Sequence, residues 1–209
     1  MLIHPWDAAR AADEWRQFAV AQGFGQFIAA GAGRRRPIVV PTQSVFDGDT
    51  ILLHLARPNP IWPALTENPY AVLAIAGDWA YVPSGWKTVG DEDPALGIPT
   101  TYYGAVQLCG EVEIVDDPEA KLNILRKQLA ALQPDGGHAD PEAHRRQLNG
   151  IRGIRLTIDD VQAKFKYGGN VDEAHRLAVA DRLSHRNAPG DTAARQHLLS
   201  RLQRETPCP

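Results

Sequence analysis

The spacing of apolar side chains along this chain changes several times between helical and extended periods. Apolar and small residues recur every three to four positions over residues 7–22, which predicts an amphipathic helix that Asp7 begins and Gly23 ends. Alternating segments follow, separated by short glycine-containing turns, and they predict the start of a β-meander. These segments cover residues 26–30, 37–46 and 50–56.

A nearly continuous apolar run at residues 70–76 predicts a strand that is buried on both faces, and residues 78–82 extend it. Residues 102–115 form the longest strand candidate, and residues 151–165 return to the same alternation. Helical spacing predicts five further helices around these strands. They cover residues 60–65, 117–132, 141–148, 172–184 and 191–202.

This order of elements predicts a mainly β fold, in which antiparallel strands are interrupted and flanked by helices, and it favours a small barrel. With 209 residues, of which 44% are hydrophobic, the chain is long enough for one substantial core. We therefore expect a β domain with inserted helices over residues 1–170 and a helical C-terminal tail over residues 171–209.

Residues 54–60, HLARPNP, place an imidazole and a guanidinium where an apolar strand gives way to a helix. Asn59-Pro60 is typical of a helix start, with asparagine as the cap and proline at the first helical position. Arg57 is therefore expected beside free backbone N–H groups, where a phosphate or carboxylate can bind. His54 is a candidate ligand contact; the alternative is an ordinary hydrogen-bonded core histidine.

Residues 83–99 form a long connection without periodicity between two predicted strands. Loops of this length in compact domains are usually functional or disordered. We interpret the part around Ser84 and Trp86 as a binding loop, because a large indole ring seldom lies idle in water. For the acidic residues 91–93 that follow, a mobile surface excursion is the competing interpretation.

Two further segments carry side chains suited to an anionic, planar ligand. Lys164 and Lys166 share one face of a predicted strand, with ammonium groups about 7 Å apart, although charged residues also commonly end exposed strands. Thr101 and Tyr102, within PTTYY at residues 99–103, supply a hydroxyl and an aromatic ring for a flavin or porphyrin. A tyrosine pair in the core is the competing interpretation.

Charge and composition argue against several other classes. The formal net charge of -3 argues against a protein that coats nucleic acid, and no helix-turn-helix with a basic second helix is visible. No apolar run approaches the roughly 18 residues that a membrane span needs, and the N-terminus lacks a signal-peptide layout. Cys109 and Cys208 form neither a disulfide framework nor a metal-ligand spacing. We expect a cytoplasmic protein in a reducing environment, without hydrolase motifs.

Four motifs occur in one order along the chain: HLARPNP at residues 54–60, YVPSGW at 81–86, PTTYY at 99–103 and KFKYGGN at 164–170. Together they resemble the PaiB family of FMN-binding proteins, often labelled negative transcriptional regulators, over about residues 1–185. The resemblance implies a six-stranded antiparallel split β-barrel related to the pyridoxamine-phosphate oxidases. It also implies a homodimer with the cofactor at the subunit interface.

The resemblance also assigns residues to the cofactor pocket. These are Arg57, Asn59, Ser84, Trp86, Lys164 and Lys166. With His54, Thr101 and Tyr102 from the residue analysis, they make up the predicted cofactor-binding set. Two motifs depart from the family pattern, because PTTYY stands where the family often has PTWNY and YGGN stands where it often has LSQN.

The resemblance leaves two functions open. The first is an FMN-binding protein with a role in transcriptional regulation or in flavin-dependent redox chemistry. The second is a haem-dependent enzyme, since some PaiB-like proteins, including the piperazate synthases, bind haem and form N–N bonds. His54 would then be an axial ligand of haem b. No general base can be assigned, so catalysis stays open, and direct DNA contact is not expected.

Overall fold

A computed structural model describes residues 1–203 of the chain, and Cys208 lies outside this range. Within residues 1–203 the chain forms seven β-strands, five α-helices and four 3-10 helices. The strands are β1 (Phe24–Ala29), β2 (Ile38–Gln43), β3 (Val45–Asp47), β4 (Thr50–Ala56), β5 (Tyr70–Val82), β6 (Thr100–Val115) and β7 (Ile151–Lys166). The α-helices are α1 (Glu14–Gln22), α2 (Ile61–Glu67), α3 (Pro118–Leu132), α4 (Glu173–Arg186) and α5 (Asp191–Gln203). The 3-10 helices are Pro5–Asp7, Ser84–Lys87, Pro94–Leu96 and Pro141–Gly150.

The seven strands join one sheet in the order β2-β1-β5-β6-β7-β4-β3, and the pairs β1–β2, β1–β5, β3–β4 and β4–β7 are antiparallel. The fold is mainly β with flanking helices, as the sequence predicts, but the predicted number of six strands is wrong. Residues 37–46, predicted as one strand, divide at Ser44 into β2, which pairs with β1, and β3, which pairs with β4. Because β2 and β3 stand at opposite ends of the strand order, one straight segment cannot supply both ladders.

The first α-helix is shorter than the apolar spacing predicts. It begins at Glu14, and the residues before it form a 3-10 turn and an isolated antiparallel bridge between Ala8 and Lys164. Asp7, predicted to begin the helix, is buried and lies 3.9 Å from Lys164 Nζ. The bridge needs an extended backbone at Ala8, and a helix is incompatible with that conformation.

The chain divides into two compact units. Unit 1 contains residues 1–15, 76–105 and 163 onward, and unit 2 contains residues 16–75 and 106–162. The strands β5, β6 and β7 contribute residues to both units. The boundary that the sequence predicts at residue 170 stays a prediction.

In unit 2, α3 packs on β3 and β4. Asp117 caps this helix by accepting a hydrogen bond from Ala120 N at 2.8 Å, and Pro118 occupies the first turn, as the sequence predicts. The strands β6 and β7 approach each other so closely at Gly110 that a Cβ atom there would lie 1.8 Å from Thr157 O. Only glycine permits this approach. One cluster of the core consists of Val45, Leu52, Val115 and Ile124.

In unit 1, α4 and α5 pack together as a helical hairpin. Asn187 ends α4 in the left-handed conformation, with φ of 48°. Arg201 of α5 is 2% exposed, forms an ion pair of 2.9 Å with Glu14, and lies over the Phe165 ring. The buried side chains include Tyr102, Phe165, Tyr167, Val179, Leu183 and Leu198. None of the helices in residues 1–203 is long and apolar enough to pass through a bilayer.

Candidate functional site

The nine residues that the sequence analysis proposes fall in both units, and each unit is described by itself. Unit 1 contains Ser84, Trp86, Thr101, Tyr102, Lys164 and Lys166. Unit 2 contains His54, Arg57 and Asn59.

In unit 1 the end of β7 brings Lys166 to the loop that follows β5. Lys166 Nζ donates a hydrogen bond to Thr100 Oγ1 at 2.7 Å. Lys87 ends the 3-10 helix Ser84–Lys87, where burial lowers the pKa of its ammonium and the charge of Lys166 lowers that pKa further. Within residues 1–203, neither ammonium forms an ion pair with a carboxylate. We call these two side chains the Lys87–Lys166 pair.

Lys164 lies on the same strand face as Lys166 but has different partners. Its Nζ donates to Leu2 O at 2.9 Å, lies 3.9 Å from the Asp7 carboxylate and stands 5.9 Å from the centre of the Tyr103 ring. Burial raises the pKa of Asp7, and the charge of Lys164 partly offsets that rise. In this structure Lys164 therefore holds the N-terminal segment against β7.

The loop around Ser84 and Trp86 is packed rather than free. The Arg186 guanidinium lies over the Trp86 ring, 4.5 Å from its centre, which is a cation–π contact. A Cβ atom on Gly97 would lie 1.8 Å from Ser84 O, so the loop segment around Gly97 packs directly against the backbone of Ser84. The side chains of Ser84 and Trp86 are both half-buried.

Thr101 and Tyr102 enter β6 beside Thr100 and have different surroundings. Thr101 is half-buried, whereas Tyr102 is 2% exposed and packs edge-on against Tyr167 at 6.2 Å. Burial raises the pKa of Tyr102 to about 12, and its hydroxyl has no hydrogen-bond partner among residues 1–203. Tyr102 therefore lies in the core of unit 1.

In unit 2 the orientation of His54 follows from its neighbour on α3. The Gln128 side chain donates from Nε2 to Leu52 O at 3.5 Å, which turns its carbonyl oxygen toward His54. His54 Nδ1 lies 2.7 Å from that oxygen and must donate to it. In the neutral imidazole Nε2 is then the unprotonated nitrogen, with a lone pair available as an acceptor or a metal ligand.

His54 also lines a cavity of about 430 Å³ within unit 2. The walls are mostly aliphatic and come from β4, α3 and the segment before β7. The other lining residues are Leu125, Leu129, His138, Ala139, Pro141, His144, Gln147, Leu148 and Ile151. Within residues 1–203, no group of three or more metal-ligating side chains is arranged to hold a metal ion, so this cavity is not a preformed three-histidine metal site.

Arg57 and Asn59 of unit 2 both have partners within the chain. Arg57 binds the Asp116 carboxylate through both terminal nitrogens, at 3.1 and 2.5 Å, and donates from Nε to Asn149 O. Lys121 and Arg152 also bind Asp116, at 3.4 and 3.2 Å. The hydrogen bonds from Arg57 are the main cause that lowers the pKa of Asp116 to about 2. Asn59 Oδ1 accepts from Ile61 N at 3.0 Å and supports the start of α2.

Comparison with known proteins identifies the family of this chain. Residues 1–160 match the family model described as "Putative FMN-binding domain". The chain is also 23% identical to the protease synthase and sporulation protein PAI 2 of Bacillus subtilis (strain 168), over 98% of this chain and 100% of that protein. The chain belongs to the PaiB family of FMN-binding domains.

Solved structures share the fold of this PaiB-family chain. The flavocytochrome Anf3 of Azotobacter vinelandii superposes with a TM-score of 0.60 at 19% identity, over 83% of this chain and 75% of that one. An FAD- and haem-binding protein of Mycobacterium smegmatis superposes with a TM-score of 0.56 at 18% identity, over 80% of this chain and 78% of that one. At these identities the likeness shows a common fold.

The structure adds residues to the PaiB motifs that sequence reasoning missed. Lys87 follows the YVPSGW motif directly, Thr100 lies inside PTTYY, and Arg186 covers Trp86 from α4. Lys87 could have been found by extending its motif by one residue, and Thr100 by giving both threonine hydroxyls of PTTYY the same weight. No sequence signal marks Arg186, because it lies outside all four motifs.

Proposed function

We propose that this PaiB-family protein binds FMN and holds its 5′-phosphate at the Lys87–Lys166 pair in unit 1. The observation that carries the proposal is that, among residues 1–203, neither ammonium forms an ion pair with a carboxylate, although the charge of Lys166 also acts on the more distant Asp7. A phosphate carries a charge of about -1.5 to -2 and several strong acceptor oxygens. It would relieve the repulsion between both lysines, and the Thr100 hydroxyl could add one more hydrogen bond.

The isoalloxazine ring of bound FMN would supply one- and two-electron transfer, and the protein would supply binding and electrostatics. We propose that the role of the protein is redox chemistry or regulation through a flavin signal, and that it works as a homodimer. A net charge of -3 does not favour DNA binding, and the sequence has no visible helix-turn-helix with a basic second helix, so we propose that a regulatory role would act through a partner protein or a small molecule.

The test compares FMN with riboflavin, which has the same ring and no phosphate. FMN fluorescence quenching is titrated with wild-type protein and with the variants Lys87→Met and Lys166→Met. We expect each variant to weaken FMN binding about tenfold or more, because a charge-assisted phosphate contact is lost. Riboflavin affinity should change little.

The matched control is Lys127→Met, which removes an exposed lysine of unit 2 that pairs with Asp47. It should leave both affinities unchanged. Equal losses for FMN and riboflavin in the Lys87 and Lys166 variants would contradict phosphate binding at the pair. Absence of FMN quenching at micromolar concentration in the wild type would overturn the flavin proposal itself.

A second candidate function, a haem-binding enzyme, is favoured by the geometry of His54. Its Nδ1 donates to Gln128, which leaves Nε2 unprotonated in the neutral ring, and the His54 side chain lines a mostly aliphatic cavity. A fixed, unprotonated imidazole nitrogen at an apolar cavity suits an axial haem ligand. His138 and His144 line the same cavity and serve as matched controls.

Haem reconstitution tests this second function. A Soret band that shifts or vanishes in His54→Ala, but is kept in His138→Ala and His144→Ala, would support it. Gln128→Leu should weaken haem retention without removing the ligand, because the imidazole loses its orienting partner. No Soret band after reconstitution, or one unchanged in His54→Ala, would reject haem ligation by His54.

A further inference from the structure

One face of α4 carries three side chains that reach the loop between β5 and β6, all within unit 1. They are His175, Arg182 and Arg186, whose spacing of seven and four residues places them along one side of a helix. The loop includes the 3-10 helix Ser84–Lys87, which supplies Lys87 to the Lys87–Lys166 pair. The position of Lys87 therefore depends on the contacts that these three α4 side chains make with the loop.

Two of the three contacts involve guanidinium groups and do not titrate near neutral pH. Arg182 donates to Gly85 O at 2.8 Å and to Thr88 O at 3.2 Å, so it brackets Lys87 from both sides along the backbone. Arg186 covers the Trp86 ring at 4.5 Å and is fixed in turn by the buried Asp191 carboxylate.

The third contact joins an imidazole to two carboxylates. His175 Nδ1 lies 2.7 and 2.8 Å from the oxygens of Asp172, the cap of α4, and Nε2 lies 3.0 and 3.1 Å from those of Glu92. Glu92 also accepts from Val89 N at 3.0 Å, so it anchors the loop segment just after Thr88. Both ring nitrogens can donate to carboxylates at once only in the imidazolium form.

We propose that α4 is a positioning clamp for the phosphate-binding loop and that its His175–Glu92 contact is a pH-dependent latch, so that the loop tightens when His175 is protonated. This inference rests on the proposed function for its effect on FMN. The latch itself concerns only the loop and α4.

The direction of the pH effect follows from the partners. Asp172 and then Glu92 raise the pKa of His175 above its ordinary value of 6.5, while burial opposes them. The Val89 amide and then His175 lower the pKa of Glu92, and His175 lowers that of Asp172. The stabilisation is fully present below pH 6.5 while both carboxylates are ionised, and it is lost as the pH rises through the raised pKa of His175. Within residues 1–203, Asp172 and Glu92 are the charged groups that face the imidazole.

Hydrogen–deuterium exchange of residues 84–97 in the full chain tests the latch without any cofactor. Exchange is followed from pH 5.5 to 9 and corrected for the intrinsic rate. In the wild type we expect corrected exchange to rise about two- to fivefold across the titration of His175, the range typical of a partly exposed ion pair. His175→Gln should show the high-pH rate at every pH.

His185→Gln is the matched control, because His185 lies on α4 and, among the described residues, its polar contacts are with Asp181 of the same helix. It should keep the wild-type pH profile. Corrected exchange that is independent of pH in the wild type, or equally pH-dependent in His175→Gln, would overturn the latch.

FMN titrations on the same samples separate the latch from the proposed function. Wild-type affinity should fall with pH relative to His175→Gln, a comparison that cancels the ionisation of the phosphate itself. If exchange follows the latch but FMN does not bind, the proposed function fails and the latch stands. If FMN binds with the same pH profile in both proteins, the control of affinity by the latch is wrong while FMN binding stands.

Discussion

The Lys87–Lys166 pair of unit 1 and the cluster around Asp116 in unit 2 both concentrate positive charge, but among the described residues only the cations of the second form ion pairs with a carboxylate. Asp116 accepts from Arg57, Lys121 and Arg152, and backbone carbonyls take up further donors of Arg57 and Lys121. Among the described residues, Lys87 and Lys166 have no carboxylate in ion-pair contact. The difference teaches that a cation is available to a ligand only when the fold has not already neutralised it.

The largest expected effect comes from removing Asp116, the carboxylate shared by Arg57, Lys121 and Arg152 in unit 2. Asp116→Asn should lower the free energy of unfolding by about 1–3 kcal/mol in urea titrations, because it leaves the buried Lys121 without its carboxylate, although Asp116 itself is half-exposed. Lys166→Met should change that free energy by only about 0.5 kcal/mol. Equal losses in the two variants would remove the distinction between a structural and a binding cation cluster.

Acid unfolding should show the same contrast. The pKa of Asp116 is about 2 against an ordinary 3.8, so its stabilisation is complete above pH 3.8 and is lost as the pH falls through about 2. Between these values the wild type should lose about 1 kcal/mol more than Asp116→Asn, after allowance for solvent screening. Circular dichroism during acid titration measures this difference. If wild type and Asp116→Asn lose stability equally between pH 3.8 and pH 2, Asp116 is not the group responsible for the acid unfolding.

In unit 1 the repulsion between the lysines should appear in the reactivity of Lys87. Burial, and then the charge of Lys166, lower the pKa of Lys87, so more of its amine is neutral and nucleophilic at pH 8 than for an ordinary lysine. Lys166→Met should raise that pKa and slow acylation of Lys87 about two- to threefold, as measured by peptide mass spectrometry. The rate at Lys127 is the internal reference, and an unchanged Lys87 rate would show that the two charges do not interact.

A similarly small effect is expected at Thr100. Thr100→Val keeps the shape of the side chain but removes the oxygen that accepts from Lys166 Nζ. FMN affinity should weaken about two- to fivefold, as for one hydrogen bond of about 0.5–1 kcal/mol, with riboflavin affinity unchanged. A loss as large as that of Lys166→Met would mean that the hydroxyl, rather than the ammonium, dominates phosphate binding.

Much of the fold follows from periodicity and from local capping chemistry. The strand predicted at residues 50–56 is β4, and the helix predicted to follow Asp117-Pro118 is α3, with Asp117 as its cap. The failures lie where long-range pairing overrides local pattern. Ser44 splits a predicted strand because its two halves pair with different partners, and the bridge from Ala8 to Lys164 replaces the first turns of a predicted helix.

The candidate site was predictable only in part. The four motifs identify the PaiB family and mark the loop at residues 81–86 and the strand end at 164–170. They do not reveal that Lys164 binds Leu2 O and Asp7, or that Lys87 is the lysine whose pKa Lys166 perturbs. The first fact depends on residues that lie far from the motifs along the chain, and the second on the tertiary contact between two motifs.

The sequence by itself determined most types of element, the Asp117 cap of α3 and the family, because periodicity and capping act over a few neighbouring residues. Only the tertiary structure decided which cations are neutralised. Arg57 binds Asp116 across a separation of 59 residues along the chain. The fold also brings Lys166 close enough to Lys87 for its charge to lower the pKa of Lys87. Ion pairs and hydrogen bonds act over a few ångströms, and strand pairing, not proximity along the chain, sets those distances.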